Sequence, residues 1–311
     1  LLTMKEIYNI GVHSDLMVQS EFGMRKLVAV HDEGVKNSYI IYIGGIPIET
    51  SPVHRFRVLT DDGLEWVEAQ NLKCGDRVVQ SLKYCHHDGG GNIEHWKHEA
   101  ELIARTRKEF DDNLFTESLV CWKAFIRELF RHIGYIIENG KTFMYFLNDK
   151  KAYSVSRLLS AMGISTVFVN SKLFIKGSVS LQHFIDVVGA DTYSEVANNL
   201  SLSEMHDEDL GNSEFIPISK DDIYEFFGSE LTWNTVTDIE QSECYMYDLT
   251  VDGSPTYCLN GYVTHNTTMS LNIAHLNAYE LGYNICYLSL ETPKEDINWN
   301  LLSCHSYSTK F

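Results

Sequence analysis

The sequence predicts a mainly β protein that carries an α+β insertion and ends in a fragment of an α/β fold. Residues 1–84 and 232–266 contain short strand patterns with period-two alternation, separated by glycine-containing turns. Residues 118–189 alternate helical and strand patterns, and residues 267–311 contain a helix, a continuous apolar strand and the start of a second helix. We therefore predict two halves of one β domain, an insertion over 85–231 and a separate C-terminal segment.

The distribution of charge refines these boundaries. The 311-residue chain has a net charge of −18, which argues against the whole chain being a nucleic-acid binder. Residues 120–186, however, contain nine basic and four acidic side chains, a balance of +5 that fits either a DNA-binding surface or a solvated helical face. Residues 190–243 contain fourteen acidic side chains and one basic side chain, Lys220. This change predicts a boundary near residue 188, with 190–231 as an acidic linker or a solvated helix.

Cysteine usage and apolar runs indicate the cellular environment. Seven cysteines without paired spacing do not form a disulfide framework. A metal site is suggested by five residues close in sequence: Cys85, His86, His87, His95 and His98. Their spacing matches no standard zinc pattern, and the Gly89–Gly91 run favours a flexible loop, so we assign no metal ligand. The sequence lacks a signal peptide and a bilayer-length apolar run, so we expect a cytoplasmic protein, in a bacterial or phage-infected cell, without membrane contact.

The stretch from Gly261 to Thr267 has the atoms required for self-cleavage. The Asn266 side-chain amide can attack its own backbone carbonyl and close a succinimide, while His265 donates a proton to the leaving nitrogen. The Thr267 hydroxyl can act as an acyl acceptor once a base removes its proton. A strand followed by a polar turn explains the same residues, so the rest of the chain must decide between the two interpretations.

Four runs of the sequence resemble motifs of a known family. The run Ser51–Phe56 and the later run Leu72–Val79 resemble the N-terminal half of an intein, whose Hint fold is shared with hedgehog autoprocessing domains. The runs Tyr245–Val251 and Asn260–Asn266 resemble the C-terminal half. The resemblance implies a Hint splicing domain that acts once on its own flanking polypeptides and needs no cofactor. Such self-processing is autocatalytic but single-turnover, so it meets the definition of an enzyme only in part.

The resemblance also implies roles for individual residues. His54 would protonate or polarise the scissile nitrogen, and Ser51, where the family usually has Thr, would orient the amide. Asp248 would act as the base or orienting group for Thr267. The alternatives are a satisfied core or turn histidine for His54 and a strand-edge carboxylate for Asp248. The predicted catalytic residues are Ser51, His54, Asp248, His265, Asn266 and Thr267.

Two positions depart from the family pattern. Inteins begin with a nucleophile, whereas Leu1 has no nucleophilic atom, so we expect a fragment capable of the C-terminal cleavage step alone. Pro255 stands where many inteins have a histidine that assists Asn cyclisation. Loss of one proton donor typically slows a reaction by about 10²- to 10⁴-fold. An inactive Hint-like remnant therefore remains an alternative function.

The insertion is similar to one repeat of a LAGLIDADG homing endonuclease. Helical patterns over 93–110 and 116–133 precede the strand and helix patterns of 143–188, with Phe125–Gly134 in the place of the motif helix. That family needs a carboxylate at the base of this helix to hold a divalent cation. The matching positions here are Arg131 and Ile133. We therefore predict a decayed endonuclease with weak DNA binding over 120–186, and keep site-specific DNA cleavage as an alternative function.

The C-terminal segment resembles part of another family. A helix pattern over Thr268–Leu281 precedes an apolar strand over Asn284–Leu290. The runs Thr267–Ala274 and Tyr287–Glu291 resemble the ATPase domain of DnaB-type replicative helicases, with a generic RecA-like ATPase as the alternative. The resemblance implies that Thr267 is the magnesium-binding hydroxyl of a phosphate loop and that Glu291 activates water. It also implies ATP and Mg²⁺ as cofactors and DNA as partner of the spliced, hexameric host helicase.

Overall fold

The computed structural model describes residues 4–11, 16–20, 23–83, 91–106, 108, 110–137, 140–199, 231–252, 256–265, 278, 282 and 284. Several predicted features lie outside these described residues: Cys85, His86, His87, the tract 200–230, Pro255, Asn266, Thr267, the elements predicted over 268–311, and Glu291. Within the described ranges, no helix is both long and apolar enough to cross a membrane.

The described chain contains thirteen strands and six α-helices. The strands are β1 (Met17–Ser20), β2 (Gly23–Ile43), β3 (Ile46–Thr50), β4 (Arg55–Thr60), β5 (Gly63–Glu68), β6 (Arg77–Ser81), β7 (Gly134–Ile136), β8 (Thr142–Tyr145), β9 (Thr166–Val169), β10 (Lys172–Ile175), β11 (Leu231–Val251), β12 (Thr256–Leu259) and β13 (Tyr262–His265). The helices are α1 (Met4–Ile10), α2 (Ile93–Arg105), α3 (Leu119–Ile133), α4 (Asp149–Ala161), α5 (Ser178–Val188) and α6 (Ala190–Asn199).

A nine-stranded antiparallel sheet contains the strands before residue 84 and after residue 230. Its main order is β1-β2-β11-β6-β13-β4-β5, with β3 paired to β2 and β12 paired to β13. Strands from the two halves thus alternate within one sheet, as the two-half prediction requires. The fold is mainly β with helices, which confirms the coarse fold prediction.

The ribbon formed by β2 and β11 is more continuous than the sequence predicted. The sequence suggests two short strands where the structure has β2, and two where it has β11. Each of these is instead one 21-residue strand. The two strands pair from Val236–Ile43 to Val251–Leu27. The residues between the predicted strands, including Gly34 with its φ of 69°, look like a turn in isolation. Cross-strand hydrogen bonds to β11 carry them through as a strand, with a register shift beside Tyr247.

The N-terminal segment contains a helix that the sequence interpretation missed. We expected an all-β unit, but Met4–Ile10 is helical. Met4 and Ile7, three residues apart on one helical face, pack against a core cluster that contains Leu249 and Tyr257. A helix of only 7 residues is too short for a clear helical period, so packing on the sheet determines its conformation.

Residues Ile93–Asn199 form the intervening unit, in which helices pack on a four-stranded sheet of order β7-β8-β10-β9. The predicted helices, strands and their order are confirmed, although the helix expected over 93–110 ends at Arg105. The core of the unit contains Phe125, Phe130 and Phe184, each 0% exposed. The ring centroids of Phe130 and Phe184 lie 4.9 Å apart in an edge-on arrangement. This core is large enough to fix the unit independently of local sequence propensity.

The chain does not leave the intervening unit at residue 188, where the charge change predicted a boundary. Helix α6 (Ala190–Asn199) continues it, and its Val196 side chain is buried in the same core. The Tyr193 hydroxyl lies 2.8 Å from the Thr142 hydroxyl, and Arg131 donates to Thr192 at 3.2 Å. The acidic side chains of α6 are exposed to solvent. The charge pattern therefore suggested a linker, although the helix belongs to the unit.

We expect Phe130→Ala to lower the free energy of unfolding by about 3–5 kcal/mol, because it leaves a cavity in a fully packed core. Leu147→Ala, in the same unit but 90% exposed, should change it by less than about 0.5 kcal/mol. Urea denaturation of both variants measures the two values. Equal effects would contradict the packing described for α3.

Candidate active site

The turn before β4 is held by three backbone hydrogen bonds. His54 N donates to Ser51 O at 3.1 Å, which closes the turn. Gln70 N donates to Pro52 O at 2.9 Å, and Ala69 N donates to His54 O at 2.8 Å. The short helical turn that follows β5 therefore fixes the backbone on which Ser51 and His54 are carried.

Strand β13 brings His265 to this turn. Thr264 pairs with Phe56 and His265 pairs with Arg55 across the β13–β4 ladder. On the other side of β13, His265 pairs with Thr256 of β12. Arg55 directly follows His54 in sequence, so the two predicted catalytic histidines, from opposite halves of the sheet, come to the same place.

The His54 ring lies in an aromatic environment. Its centroid is 5.4 Å from that of Phe56 and 5.9 Å from that of Tyr257. The residue as a whole is half-buried, but its ring nitrogen Nε2 is fully buried and has no hydrogen-bond partner among the described residues. Burial lowers the pKa of His54 from 6.5 to about 4, and the nearby His265 acts in the same direction. His54 is therefore a neutral imidazole at pH 7.

His265 packs edge-on against Trp66 of β5, with ring centroids 5.1 Å apart. The guanidinium of Arg57 lies 4.8 Å from the centre of the same Trp66 ring. Arg55 and Glu68 form an ion pair at 3.6 Å beside it. An open cavity of about 340 Å³ is lined by Arg55, Trp66, Val67, Glu68 and Asn71. The site is thus open to solvent on the side of Trp66 and Glu68.

Asp248 reaches the site through Tyr257. Asp248 Oδ1 accepts a hydrogen bond from Leu249 N at 2.9 Å. Burial raises the pKa of Tyr257 strongly, and the Asp248 carboxylate raises it further. Thr264 Oγ1 donates to the Tyr257 carbonyl at 2.9 Å, which ties β12 to β13. Asp248 is therefore an electrostatic neighbour of Tyr257, whose ring contacts that of His54.

The described part of the predicted site is assembled in one place. Ser51, His54 and His265 surround the end of β4, and Asp248 lies behind Tyr257. Ser51 takes part through its backbone carbonyl. Within the described ranges, no group of three or more His, Cys, Asp or Glu side chains could hold a metal ion.

Sequence interpretation missed two residues of this site. Tyr257 contacts His54 and Trp66 contacts His265, and neither belongs to the motifs that carried the resemblance. Both contacts reach past a neighbouring strand, because β12 pairs with β13 and β5 pairs with β4, on opposite sides of the β13–β4 pair. Without the strand register, neither contact could be assigned.

Comparison with known proteins gives the family. A family model described as an intein splicing domain matches residues 3–266. The crystal structure of Ssp DnaB mini-intein variant M86 is 11% identical, with 85% of this chain and 82% of that chain covered and a TM-score of 0.34. The structure of its G-1F mutant is 13% identical, with 86% and 88% covered and a TM-score of 0.34. No curated protein matches. Because the family model matches most of the length of this chain, the chain belongs to the intein splicing domain family.

Proposed function

We propose that this chain performs protein splicing by cyclisation of Asn266 and acyl transfer to Thr267. One observation carries the proposal: the fully buried Nε2 of His54 has no hydrogen-bond partner among the described residues. The His54 ring is close enough to His265, the residue that precedes Asn266 in the chain, for the two to interact electrostatically. Protein splicing in general follows from the family, and these residue roles extend it.

An unsatisfied buried nitrogen has an energetic cost of about 1–3 kcal/mol, so such atoms occur where a further group completes a site. A peptide amide is a suitable group, because it offers both an N–H donor and a C=O acceptor. The neutral His54 ring can accept a hydrogen bond from the amide N–H or donate one to the amide C=O. His54 therefore fits the role of polarising a scissile amide, and the Ser51–His54 turn fits the role of holding it.

The cleavage step at Asn266 balances without a co-reactant. The side-chain amide nitrogen bonds to the Asn266 carbonyl carbon, and the bond from that carbon to the Thr267 nitrogen breaks. His265 supplies the proton that the leaving nitrogen takes up, and the attacking amide loses one. The products are a succinimide at the end of one segment and a free amine on Thr267. In complete splicing, that amine receives the acyl group previously carried by the Thr267 hydroxyl.

The Asp248 carboxylate is proposed to serve the acyl-transfer step. It acts electrostatically on Tyr257, whose ring centroid lies 5.9 Å from that of His54. In our proposal Asp248 orients or deprotonates the Thr267 hydroxyl.

The segment after the junction is proposed to be a helicase flank. The family match ends at residue 266, which supports a change of protein at Thr267. After splicing, Thr267 and Glu291 would bind Mg²⁺ and ATP in the host ATPase, in line with the similarity to DnaB-type helicases. The host helicase would assemble as a hexamer on DNA.

The intervening unit is proposed to be a LAGLIDADG-like domain that no longer cleaves DNA. At the end of α3, where a catalytic carboxylate is expected, Arg131 forms ion pairs with Glu128 at 3.0 Å and Glu195 at 3.5 Å. His132 also lies 3.2 Å from Glu128. The nearby carboxylates are thus engaged with Arg131 and His132, and a divalent cation would have to displace those side chains.

We expect Asn266→Ala to abolish release of the segment that begins at Thr267, because alanine has no side-chain nitrogen to attack the carbonyl. Intact mass of the expressed chain over time measures the release. Asn37→Ala, an exposed asparagine far along the β2–β11 ribbon, is the matched control and should cleave like the parent chain. Continued cleavage by Asn266→Ala at the same bond would overturn the proposal.

His265→Ala should slow the same cleavage by about 10²- to 10⁴-fold, since the leaving nitrogen loses its proton donor. His98→Ala, which changes an exposed histidine on α2, should leave the rate unchanged. Time courses of the released segment compare the two rates. An undiminished rate in His265→Ala would remove His265 from the mechanism.

The buried neutral His54 predicts a pH dependence of stability. Between pH 6.5 and about 4 the unfolded chain binds a proton on His54 that the folded chain does not, so the free energy of unfolding falls as pH decreases through this window. His54→Gln should therefore lose less stability across it than the parent chain. Urea denaturation at several pH values, in the Asn266→Ala background to prevent processing, measures this difference.

The control is His98→Gln, whose exposed histidine should leave the slope unchanged. Because carboxylates also titrate near pH 4, the informative quantity is the difference between each variant and the parent. Parallel curves for His54→Gln and the parent chain would contradict the burial described for this ring.

A further inference from the structure

A buried polar contact joins the intervening unit to the strand that carries His265. Ser160 of α4 donates to the Asn260 carbonyl at 3.0 Å and accepts from Gln80 Nε2 at 3.1 Å. Gln80 lies on β6 and pairs with Tyr262 of β13. Ser160 is 4% exposed and Gln80 is 3% exposed, so water does not compete for these bonds.

Asn260 and Gly261 form the tight turn between β12 and β13. Their φ values are 50° and 85°, and a two-residue turn with both φ values positive suits an antiparallel hairpin. The turn is held on the sheet side by Ser81 N, which donates to Gly261 O at 2.8 Å. Ser160 holds it from the other side. The turn is therefore clamped between the sheet and the intervening unit.

A second set of bonds surrounds the same contact. Ser165 Oγ donates to Gln80 Oε1 at 2.7 Å. The Asn234 amide nitrogen lies within 3.2 Å of Gln80 Oε1, Ser165 Oγ, the Thr166 carbonyl and the Tyr262 hydroxyl. Asn234 and Ser165 are each 0% exposed. One buried network thus connects both halves of the sheet with two elements of the intervening unit.

The two surfaces approach too closely for additional side chains. A Cβ atom at Gly261 would lie 2.0 Å from Ser160 Oγ, and one at Gly45 would lie 2.0 Å from Phe168 O. Phe168 N also donates to Gly44 O at 2.7 Å. These contacts occur at separate points of the interface. They therefore fix one orientation of the unit against the sheet.

A buried lysine strengthens the same interface. Lys176 Nζ donates to the Trp233 carbonyl and lies 4.8 Å from the centre of the Trp233 ring. Burial lowers the pKa of Lys176 to about 8. The carbonyl and the aromatic face together supply the negative potential that a buried ammonium group requires.

We propose that the intervening unit is a working part of the splicing site: Ser160, acting with Gln80, is a positioning residue that places β13, and with it His265. The inference rests on the proposed role of His265. Tyr262–His265 is a four-residue strand that begins directly after the clamped turn. With a rise of about 3.3 Å per residue, a displacement of the turn is transmitted along this short strand to the histidine.

Release of the segment that begins at Thr267, measured by intact mass on the full chain, tests the proposal. Ser160→Ala should slow release about tenfold, because the Asn260 carbonyl and Gln80 lose a buried partner. Ser156→Ala is the matched control: it removes a buried hydroxyl one turn earlier on α4, whose partner, the Thr166 hydroxyl, lies within the same unit. This control should cleave at the parental rate. An equal effect of both variants would overturn the proposal.

The double variant separates positioning from general stability. If Ser160 acts through His265, Ser160→Ala should slow cleavage less than about twofold further once His265 is alanine. Full additivity of the two effects would show that Ser160 acts independently of His265 and would overturn the proposal.

Hydrogen exchange supplies a measurement that does not depend on cleavage. The backbone amides of Tyr262–His265 should exchange faster in Ser160→Ala than in Ser156→Ala, both in the Asn266→Ala background. If the parent chain does not release the segment that begins at Thr267 but these amides exchange faster in Ser160→Ala, the proposed function fails and the positioning contact stands. If the parent chain cleaves and the amides do not respond, the positioning contact fails and the proposed function stands.

Discussion

The pairing of β13 with β4 is the contact on which the whole site depends. It sets Thr264 opposite Phe56 and His265 opposite Arg55. It thus joins a strand from each half of the β domain. A slip by one residue would turn His265 to the other face of the sheet and separate it from His54. Because the entropic cost of closing a loop grows only with the logarithm of its length, this pairing tolerates the long segment between the strands. Buried Phe56 and Val263 stabilise the correct register.

The two histidine rings are close enough for the charge on one to affect protonation of the other. Burial is the larger reason why His54 stays neutral, and His265 adds to it. The repulsion is reciprocal, so protons on both rings at once are disfavoured. A neutral ring suits the proposed role of His54 in polarising an amide, and His265, packed edge-on against Trp66, is the proposed proton donor at the other junction.

Local patterns predicted much of the fold because strands and helices with one buried face repeat visibly in sequence. The elements of the intervening unit are of this kind. Features that depend on distant partners could not be predicted in this way. The β2–β11 ribbon runs through turn-like residues near Gly34 because its partner strand holds them. The contacts of Tyr257 with His54 and of Asn234 with Gln80 depend on register between elements remote in sequence.

The interface beneath β13 is polar because it fixes the position of that strand. Apolar surfaces can slide over one another at small cost, whereas each buried donor requires an acceptor at a defined place. Gln80 and Asn234 occupy the interior of the sheet interface, where leucine would bury more apolar area. Their amides, the Ser160 hydroxyl and the closely packed Gly261 permit one arrangement of turn and helix. The interface therefore favours a defined position of β13 over maximal burial, as expected for a strand that ends next to the proposed cleavage site.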